Sequence, residues 1–77
     1  MHPYKNPKDN SGVIAYEIGD DYIIAQFQDG SAYLYNYKCA GKGNIEKMKT
    51  LAVAGEGLTT FINQVVKDRY AKKVHSP

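Results

Sequence analysis

Cysteine, histidine and long apolar runs are scarce in this 77-residue chain. Its one cysteine, Cys39, cannot close an internal disulfide, so packing alone has to hold the domain, as is usual in a reducing compartment. The two histidines, His2 and His75, lie near the ends. With one cysteine they fall short of the about four ligands that a zinc site takes. No apolar stretch approaches the ~20 residues needed to cross a bilayer. The opening MHPYKNPKDNSG lacks the apolar core of a secretory leader, and a cytoplasmic location is expected.

What remains is an ordinary globular composition, 43% hydrophobic and 23% charged, too apolar for a disordered chain. A chain this short buries only about 60% of its unfolded surface, so its core is small. The net charge of +2 hides an asymmetry: residues 1–37 sum to −3 and residues 38–77 to +5. The second half can therefore attract an anionic partner.

The first half alternates. VIAYEI (13–18), YIIAQF (22–27) and AYLYNY (32–37) are rich in β-branched and aromatic residues, which predicts three strands. Asp29-Gly30 signals a tight hairpin, because glycine reaches the positive φ that such turns need. Gly19-Asp20 gives a similar signal. Period two puts Ile23, Ala25 and Phe27 on one face, and Tyr33, Tyr35 and Tyr37 on one face of the third strand.

The second half switches to helical spacing. Ile45, Met48, Leu51 and Ala52 share one arc of a helix beginning at Gly43 or Asn44, and Gly55 suits its left-handed cap. Leu58, Phe61, Ile62, Val65, Val66 and Tyr70 make a second stripe, with Arg69, Lys72 and Lys73 on its continuation. Two amphipathic helices need a surface to cover, and one face of a three-stranded sheet supplies it. The expected fold is α+β: a three-stranded antiparallel meander, then two helices on one face (βββαα, two layers). Residues 1–10 are expected as a flexible arm, 11–73 as the domain and 74–77 as a flexible tail. Tyr33 and Tyr35 are expected in the core.

Several residues carry a resemblance: Ser11, Ile14 and Tyr16, then Ile23, Ala25, Phe27, Gly30, Tyr33 and Tyr35 in IIAQFQDGSAYLYNY, and Gly57, Phe61, Ile62 and Asn63 in GEGLTTFIN. On them the chain resembles the KTSC domain, a small module at the C-terminus of some bacterial lysyl-tRNA synthetases that also stands alone in bacteria and phage. The likeness spans roughly residues 11–70. Where synthetase-linked members often place Val-Pro, this chain has KCAGKGN, so the resemblance implies the fold more than the tRNA connection.

KCAGKGN also poses the chemical question. A phosphate loop needs a hydroxyl residue after its lysine, and here Gly43 and Asn44 follow Lys42. A helix N-terminus with free N–H groups and adjacent lysines still makes a weak anion site. Tyr37, Lys38, Lys42, Lys47 and Arg69 are the candidate ligand-binding residues. No catalytic constellation and no cofactor site is expected. The expected function is a non-catalytic binding module for RNA or another nucleotide-bearing anion. The alternatives are a protein-interaction module or homodimer pairing through an exposed sheet edge, and phage-type sequestration of a small nucleotide.

Overall fold

The computed structural model describes residues 2–4 and 12–75. Much of the expected arm (1 and 5–10), Ser11 and residues 76–77 lie outside that range. The fold is α+β, with one antiparallel sheet whose five strands lie side by side in chain order. The elements are β1 (His2–Pro3), β2 (Val13–Ile18), β3 (Tyr22–Phe27), β4 (Ala32–Asn36), α1 (Tyr37–Ala40), α2 (Lys42–Ala54), α3 (Leu58–Phe61), a π-helical continuation (Ile62–Val66) and β5 (Lys72–His75).

The meander β2-β3-β4 matches the alternation. Gly30 sits at φ 95°, and Gly30 N donates to Phe27 O at 2.9 Å while Phe27 N donates to Ser31 O at 2.7 Å. The hairpin therefore closes on the positive φ that its sequence called for. Asp29 Oδ1 accepts from Ser31 N at 2.9 Å, which stiffens the loop.

The sheet has five strands where three were expected. The second helix stops at Val66: Lys67 N closes onto Ile62 O, and Lys67 itself takes φ 39° and ψ −108°. Ala71 N then reaches Leu34 O at 2.6 Å, and β5 pairs along β4. The stripe that seemed to run on to Tyr70 misleads because wheel positions record side chains only. The break lies in the backbone, and the open edge of β4 offers unpaired N–H and C=O groups that favour an added strand. Arg69, Lys72 and Lys73 were out of place on an apolar helix face because they are not on a helix.

The N-terminal end also belongs to the domain. His2 and Pro3 pair with Tyr16 and Ala15. Tyr4 is buried in the core, and its hydroxyl accepts from Leu58 N at 3.0 Å. That bond serves a helix start whose Gly57 has no side chain to cap it. Val74 and His75, expected in a tail, are in β5.

The helices cover one face of the sheet. Ile45, Met48 and Ala52 of α2, with Leu58, Ile62 and Val66, close over Val13, Ile23, Ala25 and Tyr35. The expected contacts of the second helix shift. Phe61 is only partly buried and Val65 is 41% exposed, while Val66 is fully buried. A π-helical turn takes more residues than an α-turn, so positions four apart (58, 62, 66) stay aligned on the core side and 65 rotates out.

KCAGKGN is not a simple connection either. Asn36 caps α1 by accepting from Cys39 N at 2.9 Å, while Asn36 N donates to Cys39 Sγ at 3.2 Å. The half-buried Cys39 thus serves the cap. Gly41, at φ 92°, joins α1 to α2, so α2 begins at Lys42.

Candidate functional site

The register brings two tyrosines to the same face of β4 with different surroundings. Tyr35 pairs with Ile23 and Tyr33 with Ala25, both on the helix side. Tyr35 is 1% exposed beneath the helices. Tyr33 is half-buried and packs against the margin of the core, at the end of the sheet that carries the β3-β4 loop.

Around Tyr33 the chain assembles an open aromatic platform. Its ring centroid lies 4.5 Å from that of Tyr70 and 5.8 Å from that of Phe27, the latter edge-on. Tyr70 also meets Tyr35 edge-on at 6.2 Å. Lys73, the cross-strand partner of Tyr33, holds its ammonium 5.6 Å from the ring centroid. Next to these rings is a cavity of about 430 Å³ lined by Phe27, Gln28, Asp29, Ser31 and Tyr33. The hydrogen bonds from Ser31, assisted by Lys73, hold the Asp29 carboxyl below its ordinary pKa, so it is a carboxylate at neutral pH. The platform thus offers ring faces, one cation and one acceptor. Lys67, Arg69, Lys72 and Lys73 are all exposed in the segment that leads through Tyr70 into β5.

The expected rim at α2 is built differently. Tyr37 is half-buried as the first residue of α1, with Lys42 Nζ 6.0 Å and Lys49 Nζ 5.5 Å from its ring centroid. Between these cations sits Glu46. Its Oε2 accepts from the Tyr37 hydroxyl at 2.6 Å and from Lys49 Nζ at 2.9 Å. Those two hydrogen bonds, Tyr37 first, push the Glu46 carboxyl down. The same Glu46 raises the Tyr37 phenol and the Lys49 ammonium. The chain's own carboxylate already occupies the place where a ligand anion would sit. Lys38 and Lys47 are exposed, and Lys47 lies about 100° around α2 from Glu46. Arg69 is exposed in the turn before β5.

Of the five expected residues, then, the structure groups Tyr37 with Lys42 and leaves Lys38 and Lys47 as separate surface charges. Arg69 belongs instead to the basic segment beside the platform. The Glu46 brace was legible, since Lys42, Glu46 and Lys49 follow helical i, i+4, i+7 spacing. The platform was not, because nothing short of β5 brings Lys73 and Tyr70 to Tyr33. Among the described residues no group of His, Cys, Asp and Glu is placed to hold a metal ion. No helix of the described residues is long and apolar enough to cross a membrane. Compared with family models, with curated proteins and with solved structures, the chain matches none.

Proposed function

We propose that the chain is a non-catalytic, KTSC-like binding module that takes RNA or another nucleotide-bearing anion on the Phe27–Tyr33–Tyr70 platform. The observation that carries the reading is the cation held 5.6 Å from the Tyr33 centroid, beside two further aromatic rings and an open cavity. Aromatic faces stack on bases of any sequence, and adjacent lysines follow the phosphates. Part of the positive charge of the second half lies here, at Lys67, Arg69 and Lys73 with Asp68 among them, while residues 38–49 carry as much. At about 430 Å³ the cavity is also within the size range of small-ligand sites, so a single nucleotide is a fair probe beside an oligonucleotide.

Edge pairing with a protein is the weaker reading. β1 has two residues and contains Pro3, while β5 begins with two lysines and carries a register irregularity opposite Ala32 and Tyr33. Short strands, proline, lysine and bulges are the devices that keep sheet edges from pairing.

Titration of short single-stranded RNA and of mononucleotides at low and moderate salt tests the proposal. Tyr33→Ala should weaken oligonucleotide binding by about 1–3 kcal/mol, the worth of one stacked base. Lys73→Gln should lower the slope of log affinity against log salt by about 0.7, one single-strand phosphate contact. Lys42→Gln should change little, because Glu46 already neutralises that site. No binding by wild type at low salt, or equal binding by all variants, rejects the proposal.

A further inference from the structure

Among the described residues no helix of the core packs on the sheet face opposite α2 and the 58–66 helix, where Ile24 and Leu34 are half-buried and Ala32 is 1% exposed, and its pattern is self-complementary. Following the registers across the strands gives one row on that face: Glu17, Ile24, Leu34, Lys72. Two half-buried apolar residues stand at the centre, with an acid at one end and a base at the other. The neighbouring row is Pro3, Ala15, Gln26, Ala32, His75. Two apolar residues that the registers skip, Ile14 and Val74, are 47% and 38% exposed.

We infer that this face packs against the same face of a second copy of the chain, about a two-fold axis running along the strands between β3 and β4. That rotation reverses the row. Ile24 then lies over Leu34 of the other copy, and Glu17 over its Lys72 at both rims. A two-fold axis running across the strands would instead stack Glu17 on Glu17 and Lys72 on Lys72. The charge pattern selects the first arrangement, because isologous packing requires a patch complementary to itself. Stacked sheets lie about 10 Å apart, a gap that facing Glu and Lys side chains can span from either rim. Among the described residues Glu17 accepts only from the Tyr22 hydroxyl, at 3.4 Å; the occupant is a second copy because a row that runs from acid to base is complementary to its own reverse.

Area sets the strength. Strands about 4.8 Å apart, two residues long in β1, four in β5 and five or six in between, give a face of at most about 20 by 20 Å, or ~400 Å² per partner. The total of about 800 Å² is below the roughly 1,200 Å² of a standard specific interface, so association is weak and concentration-dependent, with a dissociation constant in the micromolar range or above. It is independent of the ligand platform, which lies on the other face.

Sedimentation equilibrium of the whole chain, from about 10 μM to 1 mM in reducing buffer at low salt, tests the inference; the reductant removes any dimer cross-linked through Cys39. Wild type should pass from monomer to dimer across that range. Leu34→Glu should remain monomeric throughout while keeping its far-ultraviolet spectrum. Glu17→Lys alone and Lys72→Glu alone should each raise the dissociation constant about tenfold, since each turns two rim attractions into repulsions. The double variant Glu17→Lys with Lys72→Glu should return it to near the wild-type value, a rescue that misfolding cannot imitate. A wild type monomeric at 1 mM, or a dimer indifferent to Leu34→Glu, overturns the inference. Single charge variants that dimerise like wild type overturn the choice of axis.

Discussion

Tyr33 and Tyr35 stand two residues apart on one face of one strand, yet one belongs to the half-buried aromatic platform and the other is core. Tyr35 is covered by α2 and the 58–66 helix; Tyr33 is met by Phe27, Tyr70 and Lys73 at the open end. The difference is one of cover. The helices cover the Tyr35 end of β4 and leave the end next to the β3-β4 loop, two residues along the same strand, partly open. In a small domain that exposed aromatic surface is available for binding without weakening the core.

Replacing the two tyrosines tests this contrast most strongly. Tyr35→Ala should cost about 3–5 kcal/mol, as for other large buried side chains. That is comparable with the whole stability of a domain this size, on the order of 4–12 kcal/mol. Tyr33→Ala should cost about 1–2 kcal/mol, in keeping with its partial burial. Urea melts of the two proteins would measure the gap, and equal losses would mean that the two ends are covered alike. Next in size is Gly30→Val, which forces a β-branched residue to φ 95° in the loop beside the cavity. A loss of about 1–3 kcal/mol is expected, with weaker ligand binding because Asp29 and Ser31 lose their geometry.

The remaining effects are smaller and turn on pH. Burial, reinforced by neighbouring phenols, pushes the Tyr35 hydroxyl well above its ordinary value. Its contribution is therefore intact below about pH 10 and is lost progressively as pH rises beyond that. Wild type should lose stability more steeply than Tyr35→Phe between pH 9 and 11 in thermal melts, and parallel curves would argue against a desolvated Tyr35. The Glu46 carboxyl is lowered, so its contribution is present above the ordinary carboxylate pKa and fades in acid. Tyr37→Phe should move the Glu46 titration, followed by NMR, up toward its ordinary range. An unmoved midpoint would show that Lys49 alone holds it down.

The same contrast separates what was legible in the chain. Strands 13–18 and 22–27, the hairpin at Gly30 and the cap at Gly55 are local, and each came from residues within a turn or strand of one another. The α2 face of Ile45, Met48 and Ala52 followed from spacing alone. The last nine residues described, 67–75, did not follow, because a stripe of side chains continued where the backbone turned at Lys67. Candidate site residues suffered in the same way. Lys42 and Tyr37 are near one another, but Glu46 bonds to Tyr37 and Lys49 in the space beside them. The platform residues were visible only as separate aromatics and lysines.

By itself the sequence determined an α+β domain, its central hairpins, the two helix-forming stretches and a basic second half. Short-range periodicity and glycine geometry are enough for those. Tertiary structure alone decided that Tyr4 enters the core and that His2–Pro3 and Lys72–His75 extend the sheet. It also placed Lys73 over Tyr33. Strand pairing between distant segments is chosen by open backbone edges and by the side chains that happen to face them. Neither is written in the local pattern of the residues that join.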